Sequence, residues 1–134
     1  MERLKERFQV AGQALSRLEE ALMIENPSSM VRDATIQRFE FSFEALWKVA
    51  KEYFYRLEGL DVASPKGVIR SSRELGILDD QSAVLALTMA DDRNLTVHTY
   101  NETLAIEIYN RIKSYAPLMR NWLNELQRRI MDTL

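Results

Sequence analysis

At 134 residues the chain is long enough to bury one hydrophobic core and too short for two, so a single domain spanning 1–134 is expected. Few glycines and prolines, abundant Leu, Ala, Glu and Arg, and no long Val/Ile/Thr alternation favour an all-α protein over a sheet. The lack of cysteine removes disulfides and thiolate metal ligands and fits a cytoplasmic setting, while a net charge of -2 speaks against holding nucleic acid through an overall positive field.

The N-terminus, MERLKERF, mixes both signs of charge at helical spacing and does not read as a signal peptide. No apolar run is long enough to span a membrane. From Glu2 to Met23 the apolar residues Leu4, Phe8, Ala11, Leu15, Leu18 and Leu22 recur every three or four positions, which predicts a helix with one stripe facing a core. Asn26-Pro27-Ser28-Ser29 is a turn in which either serine can cap the next helix.

The second helix is expected from about Met30 to Leu57, roughly 40 Å long at 1.5 Å per residue. Ile36, Phe39, Phe43, Leu46, Ala50, Tyr53 and Leu57 form its stripe, and Phe41, Trp47 and Phe54 fall outside it, giving apolar surface for further neighbours or a subunit interface. Glu44 and Lys48 stand four apart in the favourable order for a surface pair. Gly59 is placed to end the helix. Ser64-Pro65 opens a short helix that Gly76 closes, with Lys66, Arg70 and Arg73 along one face as the most basic local surface. That row is either an ordinary soluble face or a contact for nucleotide, RNA phosphate or an acidic partner.

Asp79-Asp80 begins a fourth helix, its carboxylates at the positive end of the dipole, and the apolar body from Ala83 to Ala90 is expected to be buried. The last helix is expected from Tyr100 to Ile130, with Ile108, Ile112, Tyr115, Met119, Trp122 and Leu126 facing inward. Pro117 lies inside it, where a missing backbone donor introduces a kink.

The stretch Asp91-Asp92-Arg93-Asn94-Leu95-Thr96-Val97-His98-Thr99-Tyr100 carries the chemistry, because it holds the only histidine. Histidine can take and give a proton near neutral pH, and guanidinium presents a planar fork to phosphate. In one unbroken helix Arg93 and His98 would point roughly 140° apart, so convergence needs a break or a second copy of the chain. A break is expected near Asn94, which tolerates the left-handed conformation, and at the β-branched Thr96 and Val97. Thr99 with Glu102 forms a capping-box pattern that restarts the helix with Tyr100 in its first turn, and Asn101 competes as cap. The plainer readings are a hydrogen-bonding His98 without chemistry and an Arg93 paired with Asp91, Asp92 or Asp80. Metal binding is not expected: Leu95 stands where a di-iron bundle would carry glutamate, and Glu40 and Glu44 read as a solvated or paired face.

RNLTVHTY resembles the motif of the HEPN superfamily at Arg93, Asn94, His98 and Tyr100. RFEFSFEALWK, from Arg38 to Lys48, and RELGILDD, from Arg73 to Asp80, are similar in order and separation to the nucleotidyltransferase substrate-binding proteins of that superfamily. The resemblance implies an antiparallel up-and-down bundle of four main helices and a short extra one. It also implies a small, separately encoded nucleotidyltransferase as partner, and Tyr100 as the acceptor of AMP in toxin-antitoxin pairs. As a metal-independent ribonuclease toxin, the alternative, the chain would act as a homodimer, with Arg93, Asn94 and His98 catalytic and no cofactor. A third reading is a non-catalytic helical interaction protein. RNA or nucleotide is a possible ligand, and no membrane is implied.

Overall fold

The computed structural model describes residues 1–133, which form five α-helices and, among those residues, no strand. Helix α1 covers Glu2–Leu22, with Leu4, Ala11, Leu15 and Leu18 of its stripe buried and Phe8 and Leu22 partly so. Asn26 turns the chain at φ 49, a left-handed conformation asparagine tolerates, and Ser28 then accepts the amide of Val31 at 3.2 Å to cap α2, Ser29–Tyr53. The two helices are antiparallel: Arg38 of α2 donates to the Arg17 carbonyl at 2.8 Å, while Arg3 near the start of α1 pairs with Glu52 near the end of α2 at 3.7 Å.

The single second helix expected from the sequence differs at its end. Phe54–Glu58 form a π-helical turn, whose wider backbone buries Phe54 beside Tyr53 and leaves Leu57 only half-buried, and Gly59 at φ 67 terminates it. Of the three aromatic residues outside the stripe, Phe54 is buried, Trp47 half-buried and Phe41 58% exposed.

Ser64 caps α3, Pro65–Glu74, and Gly76 at φ 73 closes the following turn. Asp79 caps α4, Asp80–Leu95, by accepting the amide of Ser82 at 2.7 Å, and that bond holds its carboxyl below the usual range. Helices α3 and α4 run antiparallel, tied by Arg73 to Asp80 at 2.8 Å and by Lys66 to Asp91 at 2.6 Å. The body of α4 is not buried all round. Ala83, Ala86, Met89 and Ala90 face the core, whereas Val84 is 64% exposed, because α4 lies at the edge of the bundle with one side uncovered.

Helix α5, Glu102–Thr133, carries the whole expected stripe into the core, and Pro117 interrupts neither its span nor its buried flanks, Ala116 and Leu118. One hydrophobic cluster joins all five helices, with Phe39 stacked on Tyr115 at 5.7 Å and the Trp122 indole donating to Ser72 at 3.2 Å. Among the described residues no helix is long and apolar enough to cross a membrane.

Phe39 and Phe41 test the packing on a single helix. Phe39→Ala is expected to cost about 3–5 kcal/mol in urea unfolding, since it empties a fully buried site. Phe41→Ala is expected to change stability by less than about 0.5 kcal/mol.

Candidate functional site

The junction between α4 and α5 is built by threonine hydroxyls. Thr96 donates to the Arg93 carbonyl at 2.6 Å and Thr99 to the Thr96 carbonyl at 3.1 Å, occupying acceptors freed at the helix end, and Thr96–His98 tighten into a 3-10 turn. Asn94 stays inside α4; among the described non-glycine residues only Asn26 has positive φ, so the expected left-handed break at Asn94 does not occur. Asn101 rather than Thr99 caps α5, accepting the amide of Leu104 at 3.1 Å, and Tyr100 therefore lies in the connecting turn instead of the first turn of α5.

His98 and Tyr100 are both exposed, Tyr100 at 84%, and they face each other edge-on with ring centroids 5.9 Å apart. The Tyr100 hydroxyl lies 3.4 Å from Nδ1 of His98 and donates to it when that nitrogen carries no proton. Arg93 and Asn94 belong to a different setting, a cavity of about 400 Å³ between α2, α3 and α4 that Glu44, Trp47 and Lys66 also line. Arg93 does not pair with Asp91, Asp92 or Asp80: its guanidinium, one-third exposed, reaches Glu44 of α2 at 3.4 Å. Glu44 also takes Lys48 at 3.6 Å, the surface pair expected from the sequence. Within one protomer, then, Arg93 and Asn94 both line this cavity, whereas His98 contacts Tyr100 and neither of those two lines it.

The basic row of α3 is divided as well. Lys66 faces the Arg93 cavity and is paired with Asp91; Arg70 and Arg73 line a separate cavity with Asp80 and Val84. Among the described residues no three His, Cys, Asp or Glu side chains cluster closely enough to hold a metal ion.

Asp92, which the sequence presented only as one possible partner for Arg93, is the buried anchor of the site. It is 4% exposed and takes both Nε and Nη2 of Arg111, at 2.6 and 2.9 Å, together with the hydroxyl of Tyr115. Burial first, and then the bond to Asp92, push the Tyr115 phenol well above its ordinary range, and the same carboxylate raises Arg111. A signal was present in the sequence: a carboxylate in the last turn of a helix opposes the dipole and needs a cation.

A family model described as nucleotidyltransferase substrate binding protein like matches residues 6–128. A Haemophilus influenzae protein named probable ribonuclease HepT is 28% identical over 109 residues, covering 75% of this chain and 73% of that one. A crystal structure from Thermus thermophilus superposes with a TM-score of 0.84 at 55% identity, over 87% of this chain and 98% of that one. A mutant toxin-antitoxin MntA-HepT structure superposes with a TM-score of 0.78 over 96% of this chain and 99% of that one, at 11% identity, a likeness of fold alone.

Asp92→Ala leaves Arg111 and Tyr115 without their buried acceptor and is expected to lower stability by about 3 kcal/mol in urea unfolding. The Tyr115 phenol also sets a pH dependence. Its folded pKa lies above the unfolded value of about 10, so its contribution is complete below pH 10 and lost as pH rises toward the folded pKa. Tyr115→Phe should make the loss of melting temperature above pH 10 shallower, with the remainder from Tyr53, which burial and Glu58 raise in the same direction.

Proposed function

The chain belongs to the nucleotidyltransferase substrate binding protein like family, and from that premise we propose that it is the helical subunit of a two-protein unit completed by a small, separately encoded nucleotidyltransferase, with Tyr100 as the residue that receives AMP. The observation that carries the assignment to Tyr100 is its exposure together with its hydroxyl lying 3.4 Å from Nδ1 of His98. An acceptor for a second protein's active site must stand clear of its own fold, and this phenol does.

In the transfer, the phenolic oxygen forms a bond to the α-phosphorus of ATP and the bond from that phosphorus to the bridging oxygen breaks. Pyrophosphate leaves with the electron pair, and the phenolic proton passes to Nδ1 of His98. The product places a bulky anion beside the imidazole, where it excludes a phosphate ester by sterics and like charge.

A second reading, a metal-independent ribonuclease acting as a homodimer, is favoured by the two open pairs of the motif. Cleavage by transfer through a 2'-hydroxyl needs a base, an acid and a cation on the developing charge, and one protomer offers a single imidazole away from the Arg93 cavity. Two copies about a two-fold axis would supply two imidazoles and two guanidinium groups. The relative named probable ribonuclease HepT supports this reading.

Incubation with the cognate transferase and ATP should add one AMP, located by mass spectrometry at Tyr100; Tyr100→Phe should add none. His98→Ala should slow the addition about 100-fold or more while the two-protein complex still forms. Modification persisting in Tyr100→Phe would refute the acceptor. For the second reading, His98→Ala should abolish growth arrest, and a wild-type monomer at micromolar concentration in sedimentation would count against it.

A further inference from the structure

The turn that carries Tyr100 has an inner and an outer edge. Thr96–His98 form a 3-10 turn, and the amide of Asn101 donates to the His98 carbonyl at 3.1 Å, which carries the same three-residue step forward to Asn101. With three residues per turn, side chains three apart lie one above the other. Thr96 and Thr99 are the inner pair: Thr96 is buried, Thr99 half-buried, and their hydroxyls bond back to the Arg93 and Thr96 carbonyls. Val97 and Tyr100 are the outer pair, both exposed, with Val97 at 68%.

Val97 is an apolar, β-branched side chain on a short turn tied from inside by two hydroxyls, and nothing in its own fold covers it. The turn is also uncharged. From Asn94 to Asn101 there is no Asp, Glu, Lys or Arg, and the charges that flank it are engaged elsewhere, Arg93 with Glu44 at 3.4 Å and Glu102 with Arg32 at 3.3 Å. A protein that covers this edge therefore has no ion pair to make there, and its gain comes from apolar area.

We infer that Val97 is a specificity-determining contact for AMP transfer, seated in an uncharged apolar recess of the transferase beside its nucleotide site. The inference rests on the reading of Tyr100 as acceptor. The phenol projects by no more than one side chain from the backbone, so a partner that brings a phosphorus atom to its oxygen also covers the residue stacked beside it on the outer edge. A carboxylate at position 97 would repel the incoming triphosphate, and valine does not. A second copy on this edge is disfavoured under the same reading: a two-fold contact brings a patch onto itself and would close the phenol to ATP.

The test measures AMP addition by the cognate transferase at saturating ATP, with the concentration of this chain varied. Val97→Thr keeps the β-branching and replaces a methyl with a hydroxyl, so the backbone preference of the turn is retained. It should raise the KM for the chain about tenfold with kcat unchanged, while Val97→Ile keeps the wild-type KM. The ratio of the two KM values, wild type to Val97→Thr, should be the same at about 0.05 M and about 0.5 M salt, because an apolar contact is not screened. Val84→Thr, at a comparably exposed position near the other end of α4, should match wild type. Melting temperature should be unchanged in all three variants.

A KM in Val97→Thr equal to wild type, with Tyr100 still modified, would overturn the contact and leave the acceptor reading standing. So would a loss confined to kcat, which would make Val97 a support for the turn, or an equal loss in Val84→Thr. A change in sedimentation of the isolated chain on Val97→Thr, with AMP kinetics unaltered, would make the edge a contact between copies instead. No AMP on wild-type Tyr100 would overturn the acceptor reading and the contact with it.

Discussion

The carboxylate of Asp92 is the constraint on which the rest of the site depends. It lies in the last turn of α4, where the helix dipole disfavours an anion, and it is removed from water. The fork of Arg111 and the hydroxyl of Tyr115 offset both costs and in doing so bolt the end of α4 to α5. Successive residues on a helix point about 100° apart. Asp92 can therefore face α5 while Arg93 beside it faces α2 and Glu44. The end of α4 is held from two sides, and the 3-10 turn with His98 starts from a fixed point rather than from a fraying terminus.

Periodicity made the bundle legible because each long helix buries one stripe, and the spacing of Leu4 to Leu18, of Ile36 to Tyr53 and of Ile108 to Leu126 records which stripe. Caps were legible in part for the same local reason: Ser64 was read as one, Ser28 is one of the two serines left open, and Asp79, read only as a helix start, also bonds the amide three residues on. Three features lay beyond local signals. The π-helical turn at Phe54–Glu58 is stabilised by burial of Phe54 against other helices. The exposure of Val84 follows from α4 having no neighbour on that side, which no pattern within an apolar run reveals. The contest between Thr99 and Asn101 was decided when the Thr99 hydroxyl bonded back to Thr96, leaving Asn101 free to cap.

The motif was legible as a set of residues and not as an arrangement. Arg93 and Glu44 are far apart in sequence, so their pairing depends on how α2 and α4 pack, and nothing near Arg93 indicates it. The row Lys66, Arg70 and Arg73 was legible as a face, yet the cross-helix pairs of Lys66 with Asp91 and Arg73 with Asp80 neutralise two of its three charges. On α2 the expected Glu44 and Lys48 pair gains a third member when Arg93 reaches the same carboxylate.

The residues of the motif stand in two different surroundings. Arg93 and Asn94 open into a cavity between three helices, whereas His98 and Tyr100 stand on an exposed turn outside it. A reaction that needs both a guanidinium and an imidazole on one phosphate is the one for which the ribonuclease reading proposes a second copy. A reaction that needs only an accessible phenol and a nearby base requires a second protein to bring the nucleotide. Both requirements arise from the same short turn, because Asn101 caps α5 one residue after Tyr100 and so leaves the tyrosine out of the helix and free to be reached. Modification of that tyrosine would place its anion next to His98, and one event would then change what either partner meets at this turn.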